Sequence, residues 1–272
     1  MKNGAIGGML FGLSALVLAA PAGAFTSELF SGASMCSTSN AGTTSSSRHC
    51  TNGGVDVTAR AHAFTGNPSD TVLQSAILGV YTGGLGVTYV DGGNESTSAP
   101  QHAMDNDGRF EMILLSFLTE VRLTEVWTKW VRTDADITVL AHTGAGSIGA
   151  SNPNTLTAGG LVSIANGWEL VGGQHYNGPD EGAGNTDTSL QKIILSTPAN
   201  VSSLHWLIGA YNNSAGFGGA ANGADIGSNQ YDYLKLYAVV GNTPGRVPEP
   251  GGLPLLGIAL AGLWGMRRAA CS

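Results

Sequence analysis

Short apolar runs that alternate with polar residues recur through the middle of the chain. Residues 55–63 alternate strictly and place Val55, Val57, Ala59, Ala61 and Ala63 on one face, which is typical of a half-buried β-strand. Nine more β-rich runs follow, at residues 76–81, 86–90, 110–118, 121–131, 137–142, 168–171, 192–196, 204–211 and 233–240. Clusters of Gly, Asn, Ser and Thr separate the runs, and no long amphipathic helix pattern appears. This punctuation predicts an all-β fold, and we expect a single antiparallel β-sandwich, jelly-roll-like in type.

Both ends of the chain break this pattern. At the N-terminus, Lys2 precedes an apolar stretch over residues 6–20, and the small residues Ala22 and Ala24 follow it. A positive start, an apolar stretch and a small-residue cleavage site are typical of a secretory signal peptide. We therefore expect signal peptidase to remove residues 1–24, so that the mature protein begins near Phe25.

The C-terminal end carries a rigid turn, a short apolar run and a basic pair. The turn is Val247-Pro248-Glu249-Pro250, the apolar run lies within residues 251–266, and Arg267 and Arg268 follow it. Sixteen helical residues span about 24 Å, which is short of the ~30 Å hydrocarbon core of a bilayer. The pattern predicts a single apolar helix that can enter a bilayer and stop with its arginines on the cytoplasmic side, although a permanent anchor would normally be longer.

This tail closely resembles the PEP-CTERM sorting signal. The resemblance implies transient insertion in the inner membrane of a Gram-negative bacterium and processing there by an exosortase. It also implies removal of the tail and delivery to the cell surface or the extracellular exopolysaccharide matrix of a biofilm. Blocks within the mature region resemble an exosortase-dependent surface protein family, which brings no established catalytic residues or ligand. These blocks are residues 78–87, 102–111, 134–140, 167–171 and 206–211.

The patterns divide the chain into successive segments. We expect a signal peptide (1–24), an N-terminal segment with a disulfide-closed polar loop (25–54), the β-sandwich domain (55–241), a linker with the Pro-Glu-Pro motif (242–250), and a sorting helix with its basic tail (251–272). The disulfide is expected between Cys36 and Cys50, because both lie in an oxidising compartment and flank a loop without large apolar residues. Two free thiols are the alternative.

Composition excludes one class of partner. The chain has a net charge of −7, and removing the three basic residues and one acidic residue of its two ends leaves −9. A charge of that sign repels phosphate, so nucleic acid is not an expected partner. The 41 glycines and the low 11% of charged residues fit a secreted β-protein.

Acidic residues offer candidate calcium ligands. Asp105, Asp107 and Glu111 lie close together around a predicted turn, and Asp134 and Asp136 could complete the oxygen ligands that Ca²⁺ requires. The alternative is turn chemistry, with residues 106–108 chosen for a hairpin and Asp134 and Asp136 solvated beside a strand. No cofactor other than calcium is expected.

Two further interpretations concern glycans. Glu111 with Glu125 or Asp134 would be a carboxylate pair for a hydrolase. Trp127 and Trp130 are three residues apart, which would place them on opposite faces of a strand and leave one exposed for stacking on a sugar. We expect an exported structural or adhesive protein rather than an enzyme. A calcium-assisted carbohydrate-binding module is the first alternative, and a glycan hydrolase is the second.

Overall fold

The structure is a computed structural model, and it describes residues 23–28, 42–52, 55–65, 72–90, 95, 100, 102–144, 153–212 and 231–244. All of them belong to one compact unit, Gly23–Pro244. The predicted sorting motif, the apolar tail, Cys36 and most of the signal peptide lie outside these residues. Within the described residues, no helix has the length and apolar character needed to cross a bilayer.

The expected all-β class is confirmed. Fifteen strands are described: β1 Gly23–Glu28, β2 Thr43–Ser45, β3 Arg48–Asn52, β4 Val55–Phe64, β5 Leu73–Ser75, β6 Ile77–Tyr81, β7 Gly84–Thr88, β8 Met104–Asp105, β9 Glu111–Thr133, β10 Ile137–His142, β11 Trp168–Leu170, β12 Gly182–Asp187, β13 Gln191–Ile194, β14 Ser203–Ala210 and β15 Asp232–Thr243. The helical elements are a single turn, α1 Ala158–Leu161, and two 3₁₀ turns, Ile164–Asn166 and Val171–Gly173.

One long strand, β9, connects the whole sheet. Its first part, up to Phe117, lies between β4 and β14, and β10 and β11 continue beyond β14. Its second part, from Arg122, lies between β15 on one side and β12 and β13 on the other. Strands β7, β6 and β2 continue beyond β15. Every strand pairing described is antiparallel, so the sheet needs no long crossover helices.

The main core holds side chains from both parts of this sheet. Ala59 and Ile113 belong to the first part and Val126 and Leu236 to the second, and all four are buried in one hydrophobic cluster. The alternating face predicted for residues 55–63 is buried as expected. The opposite face of β4 is also covered near its end, because Phe64 packs in a second cluster with Leu161 and other residues. The strand is therefore buried on both faces there, not half-buried throughout.

The two runs predicted at residues 110–118 and 121–131 form one strand. Leu118 between them is 73% exposed, and the following Thr119 and Glu120 are also exposed, where the strand passes from one part of the sheet to the other. No Gly or Pro interrupts this stretch, so the backbone stays extended. Six described strands were not predicted, namely β1, β2, β3, β5, β8 and β12.

Candidate metal centre

Six carboxylate side chains are buried in neighbouring parts of the fold, and we call them the acidic centre: Glu95, Asp105, Glu111, Asp134, Asp136 and Asp232. Asp105 and Glu111 are 0% exposed, and even the most exposed member, Glu95, is only 8% exposed. Buried carboxylates are uncommon unless a cation or a network of hydrogen bonds compensates them. This concentration is therefore the feature of the fold that most requires a chemical explanation.

Strand pairing brings these residues together from distant parts of the chain. Strand β15 pairs with β8 so that Tyr233 lies opposite Asp105, and with β9 so that Asp232 lies opposite Thr133. An isolated parallel bridge joins Asp134 to Asp232. The pairing of β15 with both β8 and β9 thus places Asp105, Asp134 and Asp232 beside one another.

The backbone at the end of β9 is strained where it enters the centre. Thr133 has a φ of 67°, a left-handed conformation that a β-branched residue rarely adopts, and the Asp134 amide then donates to the carbonyl of Arg132 at 2.9 Å. Such a conformation costs on the order of 1–3 kcal/mol. The strain turns the chain sharply so that Asp134 and Asp136 leave the strand on the side of Asp232.

Asp134, Asp136 and Asp232 have the geometry of a shared cation site. One oxygen from each side chain can be chosen so that all three lie within 4.8 Å of one another. Two ligands bound to the same Ca²⁺ at about 2.4 Å are at most about 4.8 Å apart, so the spacing suits that ion. Backbone amides fix two of the groups: Asp232 Oδ1 accepts from the Asp136 amide at 2.8 Å, and Asp136 Oδ1 accepts from the Gly178 amide at 2.9 Å.

A second group of acids lies beside the first. Glu95, Asp105 and Glu111 each accept one backbone hydrogen bond, from the amides of Tyr89, Asp107 and Asp105 respectively. The other carboxylate oxygen of each is buried without an N–H or hydroxyl donor among the described residues, and the Glu95 and Glu111 carboxyls can share a hydrogen bond only if one of them is protonated. These oxygens in the protein interior therefore require either a proton or a cation.

The electrostatics agree with an uncompensated negative site. Burial, and then the neighbouring Glu95, raises the pKa of Asp105 well above its usual range. Burial, and then Asp105, does the same to the pKa of Glu111. Burial raises the pKa of Glu95 to about 7, and burial with Asp134 and Asp136 raises the pKa of Asp232. No described Lys or Arg forms an ion pair with Glu95, Asp105, Glu111 or Asp232.

Asp107 lies at the edge of this arrangement and has a different role. It is half-buried, and its carboxylate accepts a hydrogen bond from the hydroxyl of Tyr233 at 2.7 Å. Its amide donates to Asp105, and Gly108 has a φ of 89°, so residues 106–108 also form the turn that the alternative interpretation expected. Asn106 links the turn to the centre, because its Nδ2 donates to Asp232 Oδ2 at 2.5 Å.

The structure therefore brings together four of the five predicted calcium candidates: Asp105, Glu111, Asp134 and Asp136. The expectation that Asp134 and Asp136 are solvated in the turn interpretation is wrong, since both are buried. Sequence reasoning missed Asp232 and Glu95. Asp232 begins a strand 96 positions after Asp136, and only the pairing of β15 with β8 and β9 reveals its role.

The carboxylate pairs considered for hydrolysis have different environments. Glu125 lies in the second part of β9, opposite Val240, whereas Glu111 begins the first part, opposite Ala63, so the structure does not bring these two together. Glu111 and Asp134 do belong to the same acidic centre, but both are buried. A pocket of about 350 Å³ in the described region has no carboxylate among its lining residues.

The two tryptophan candidates are each half-buried and do not lie on opposite faces as predicted. Leu234 pairs with Val131 and Leu236 with Thr128, so β9 carries one extra residue between them. This β-bulge changes the alternation between Trp127 and Trp130. Trp127 Nε1 donates to Glu125 Oε2 at 2.6 Å, and Trp130 lines the pocket mentioned above.

Other predicted residues are only partly covered by the structure. Cys50 is disulfide-bonded, and because Cys36 lies outside the described residues, their pairing stays a prediction. Ala24 of the expected cleavage site lies in β1, opposite Asn242, while Ala22 is outside the described residues. The sorting residues Val247, Pro248, Glu249, Pro250, Arg267 and Arg268 also lie outside them. No known protein-family model, curated protein or solved structure matches this chain.

Proposed function

We propose that this chain is an exported, non-catalytic protein of the bacterial cell surface or extracellular matrix, sorted by an exosortase, in which Ca²⁺ completes the fold. The two parts of the sheet would pack as a jelly-roll-like β-sandwich, since both contribute to one core. The resemblance of the tail to a PEP-CTERM signal supports the sorting step. The observation that carries the calcium proposal is the spacing of the buried Asp134, Asp136 and Asp232, which bring one oxygen each to within 4.8 Å of one another.

Calcium fits this centre better than other common cations. Its residues supply oxygen ligands only, and Ca²⁺ takes six to eight of these in flexible geometry. Asp134, Asp136 and Asp232 would provide the shared ligands. Asp105 lies close enough to this group for the charge of Asp232 to contribute, after burial and Glu95, to its raised pKa. Extracellular calcium modules bind with dissociation constants of about 10⁻⁴–10⁻³ M, which suits a protein that acts outside the cell.

A thermal melt of the full chain, in millimolar calcium and in chelator, tests the metal proposal. At a free calcium concentration of about 10 times Kd, binding stabilises the native state by about 1.4 kcal/mol. For a domain of this size that corresponds to a rise in Tm of about 3–6 °C. A Tm that is the same in both buffers would contradict the proposal.

Asp134→Asn makes the test sharper, because its two effects have opposite signs. The variant keeps the Oδ1 that accepts from the Ala135 amide at 2.7 Å, but it removes the charge that most raises the pKa of Asp232. We expect a higher Tm than wild type in chelator and no gain from calcium. Asp180→Asn, at an exposed turn, is the matched control and should keep the full calcium response. Full retention by Asp134→Asn would exclude this site.

Sorting is tested separately by fractionation. In cells that lack the exosortase, we expect the full chain to accumulate in the inner membrane with its tail attached. In wild-type cells, we expect a shorter protein at the surface or in the matrix. An unchanged mass and location in the two strains would contradict the sorting proposal without affecting the calcium result.

A further inference from the structure

Three lysines lie against aromatic rings on β9, β13 and β15. The chain has only four lysines, and the three beyond Lys2 each place their ammonium group over a ring. Lys192 Nζ is 4.3 Å from the ring centre of Trp127, Lys235 Nζ is 4.4 Å from that of Trp130, and Lys129 Nζ is 5.1 Å from that of Tyr237. We call these six residues the Lys-aromatic face.

Strand geometry places the six residues on one side of the sheet. Trp127 and Lys129 are two residues apart on β9, so they share a face. Tyr237 lies at a bulge of β15 between Leu236 and Ala238, and the contact of Lys129 with its ring places it on the same side. Lys192 lies directly opposite Trp127 across the β9–β13 pairing. The bulge in β9 opposite Lys235 keeps Trp130 on the same side as Lys129. The buried neighbours Leu234 and Leu236 point to the main core instead.

The pocket of about 350 Å³ opens on this face. Its lining residues are Thr82, Gly83, Lys129, Trp130, Thr188 and Lys235. The β6–β7 turn forms one wall by close backbone approach. A Cβ added at Gly83 would lie 2.8 Å from the Cβ of Trp130, and Gly83 has a φ of 96°, so only glycine fits this wall without strain.

Lys235 is the unusual member of the face. It is 3% exposed, its ammonium donates to the Thr82 carbonyl at 3.3 Å and to His102 Nε2 at 2.9 Å, and no described carboxylate pairs with it. Burial lowers its pKa to about 8. A buried ammonium beside a pocket, without a negative partner, is best satisfied by a ligand that brings a negative charge.

We infer that the Lys-aromatic face binds an anionic polysaccharide, with one uronic acid ring seated in the pocket against Trp130. The indole would stack on the C–H face of the sugar ring, Lys129 and Lys235 would bind its carboxylate, and the hydroxyls of Thr82 and Thr188 would bind its hydroxyl groups. Trp127 with Lys192 would bind a neighbouring ring along the strand. Since the chain as a whole is negative, only such a local concentration of cations can attract a polyanion.

Calorimetric titration of the full chain with short alginate oligomers tests this inference. A buffer of low calcium concentration prevents the oligomers from gelling. Neutral dextran oligomers and polyglutamate are the two control ligands, because dextran has rings without charge and polyglutamate has charge without rings. We expect binding to alginate alone. Equal affinity for polyglutamate would show that the face binds any polyanion without recognising a sugar ring. Equal affinity for dextran would show that the lysines do not contribute to binding. Either result overturns the inference.

Two variants and two controls assign the binding to this face. Lys129→Gln removes an exposed charge with little risk to folding, and we expect it to weaken alginate binding about tenfold or more. Lys235→Met should weaken it at least as much. Arg60→Gln removes one exposed charge from β4 and should bind as wild type does. Unchanged affinity in Lys129→Gln, or an equal loss in Arg60→Gln, would overturn the assignment.

The result can be separated from the calcium proposal. The acidic centre contributes no residue to the Lys-aromatic face or to its pocket, so the calcium melt and the alginate titration report on separate sites. A chain that binds alginate but does not respond to calcium would contradict only the metal proposal. A chain that responds to calcium but does not bind alginate would contradict only the present inference.

Discussion

Replacing Lys235 with methionine should stabilise the protein at neutral pH, although it removes a hydrogen-bonding side chain from the interior. Burial lowers the pKa of this lysine from 10.5 to about 8, which means that the native state disfavours the charged form by about 3 kcal/mol. Methionine has a similar length and no charge to desolvate. The variant loses two cation–π contacts, with Trp130 and Tyr81, and two hydrogen bonds, which at about 0.5 kcal/mol each are together worth about 2 kcal/mol. The net gain expected at pH 7 is therefore about 1 kcal/mol, or about 2–4 °C in Tm.

The pH dependence has a definite sign. Because the folded pKa lies below the unfolded one, both states carry the charge below pH 8 and the full penalty applies. As the pH rises above 8, the folded state releases its proton first, so the wild type gains stability up to pH 10.5. By pH 9.5 this gain is about 2 kcal/mol. The methionine variant lacks it, so the wild type should become the more stable of the two by about 1 kcal/mol.

Thermal melts of both proteins at pH 7 and pH 9.5 give the comparison directly. Among the groups that face the ammonium, Tyr81 stays protonated throughout because burial raises its pKa above 10, and His102 is common to both proteins. Other titrations cancel in the difference between the two. A methionine variant that is less stable at pH 7, and by the same amount at pH 9.5, would show that the ammonium is not desolvated and would refute this reasoning.

Further predictions concern the core, the acidic centre and the pocket wall. Trp206→Ala should lower the free energy of unfolding in urea by about 3–5 kcal/mol, because the side chain is fully buried. Leu118→Ala, at an exposed position, should change it by less than about 0.5 kcal/mol, and equal losses in the two variants would contradict the assigned core. In chelator, the stability of Glu95→Gln relative to wild type should increase from pH 4.5 to above 7, by up to about 3 kcal/mol. The reason is that the folded wild type holds a proton on Glu95 up to about pH 7, and the stability that this proton gives is lost as the pH rises. A difference that is constant with pH would contradict this. Gly84→Ala should lower both Tm and alginate affinity, since Gly84 has a φ of 144° and an added Cβ would lie 2.7 Å from a carbonyl oxygen of β15. The control is Gly184→Ala, which is also at positive φ but has open space around the added Cβ. Equal effects of the two variants would mean that only backbone strain matters.

Local sequence pattern predicts a strand well where that strand has its own hydrophobic face. Residues 55–63 alternate because β4 covers the core, and residues 137–142 form β10 with the predicted bounds. Strand β12 has the polar sequence Gly-Ala-Gly-Asn-Thr-Asp and exists because β9 offers it a pairing edge. Strand β8 has only two residues and depends in the same way on β15. The sequences of these two strands contain no hydrophobic alternation from which a strand could be predicted.

The candidate sites were predictable only where the chemistry is local. Asp105 and Glu111 lie six residues apart, and their proximity can be proposed from the sequence. The role of Asp232 depends on the register between β15 and β8, which is set across more than one hundred residues. The side on which Trp130 lies depends on a bulge, and a single inserted residue reverses every expectation based on alternation. Register and bulges are decided by tertiary packing, not by the residues at those positions.

Strand β15 carries two buried charges of opposite sign that do not neutralise each other. Asp232 begins the strand in the acidic centre, and Lys235, three residues later, lies on the Lys-aromatic face. Each charge costs stability, and a fold with a purely structural role would gain by replacing either with an apolar residue of similar size. Their coexistence on one strand is better explained if each has its own partner from solution, a cation for Asp232 and an anion for Lys235. The opposite signs also make the explanation testable, because calcium should stabilise the chain through one residue and a uronic acid polymer through the other, independently.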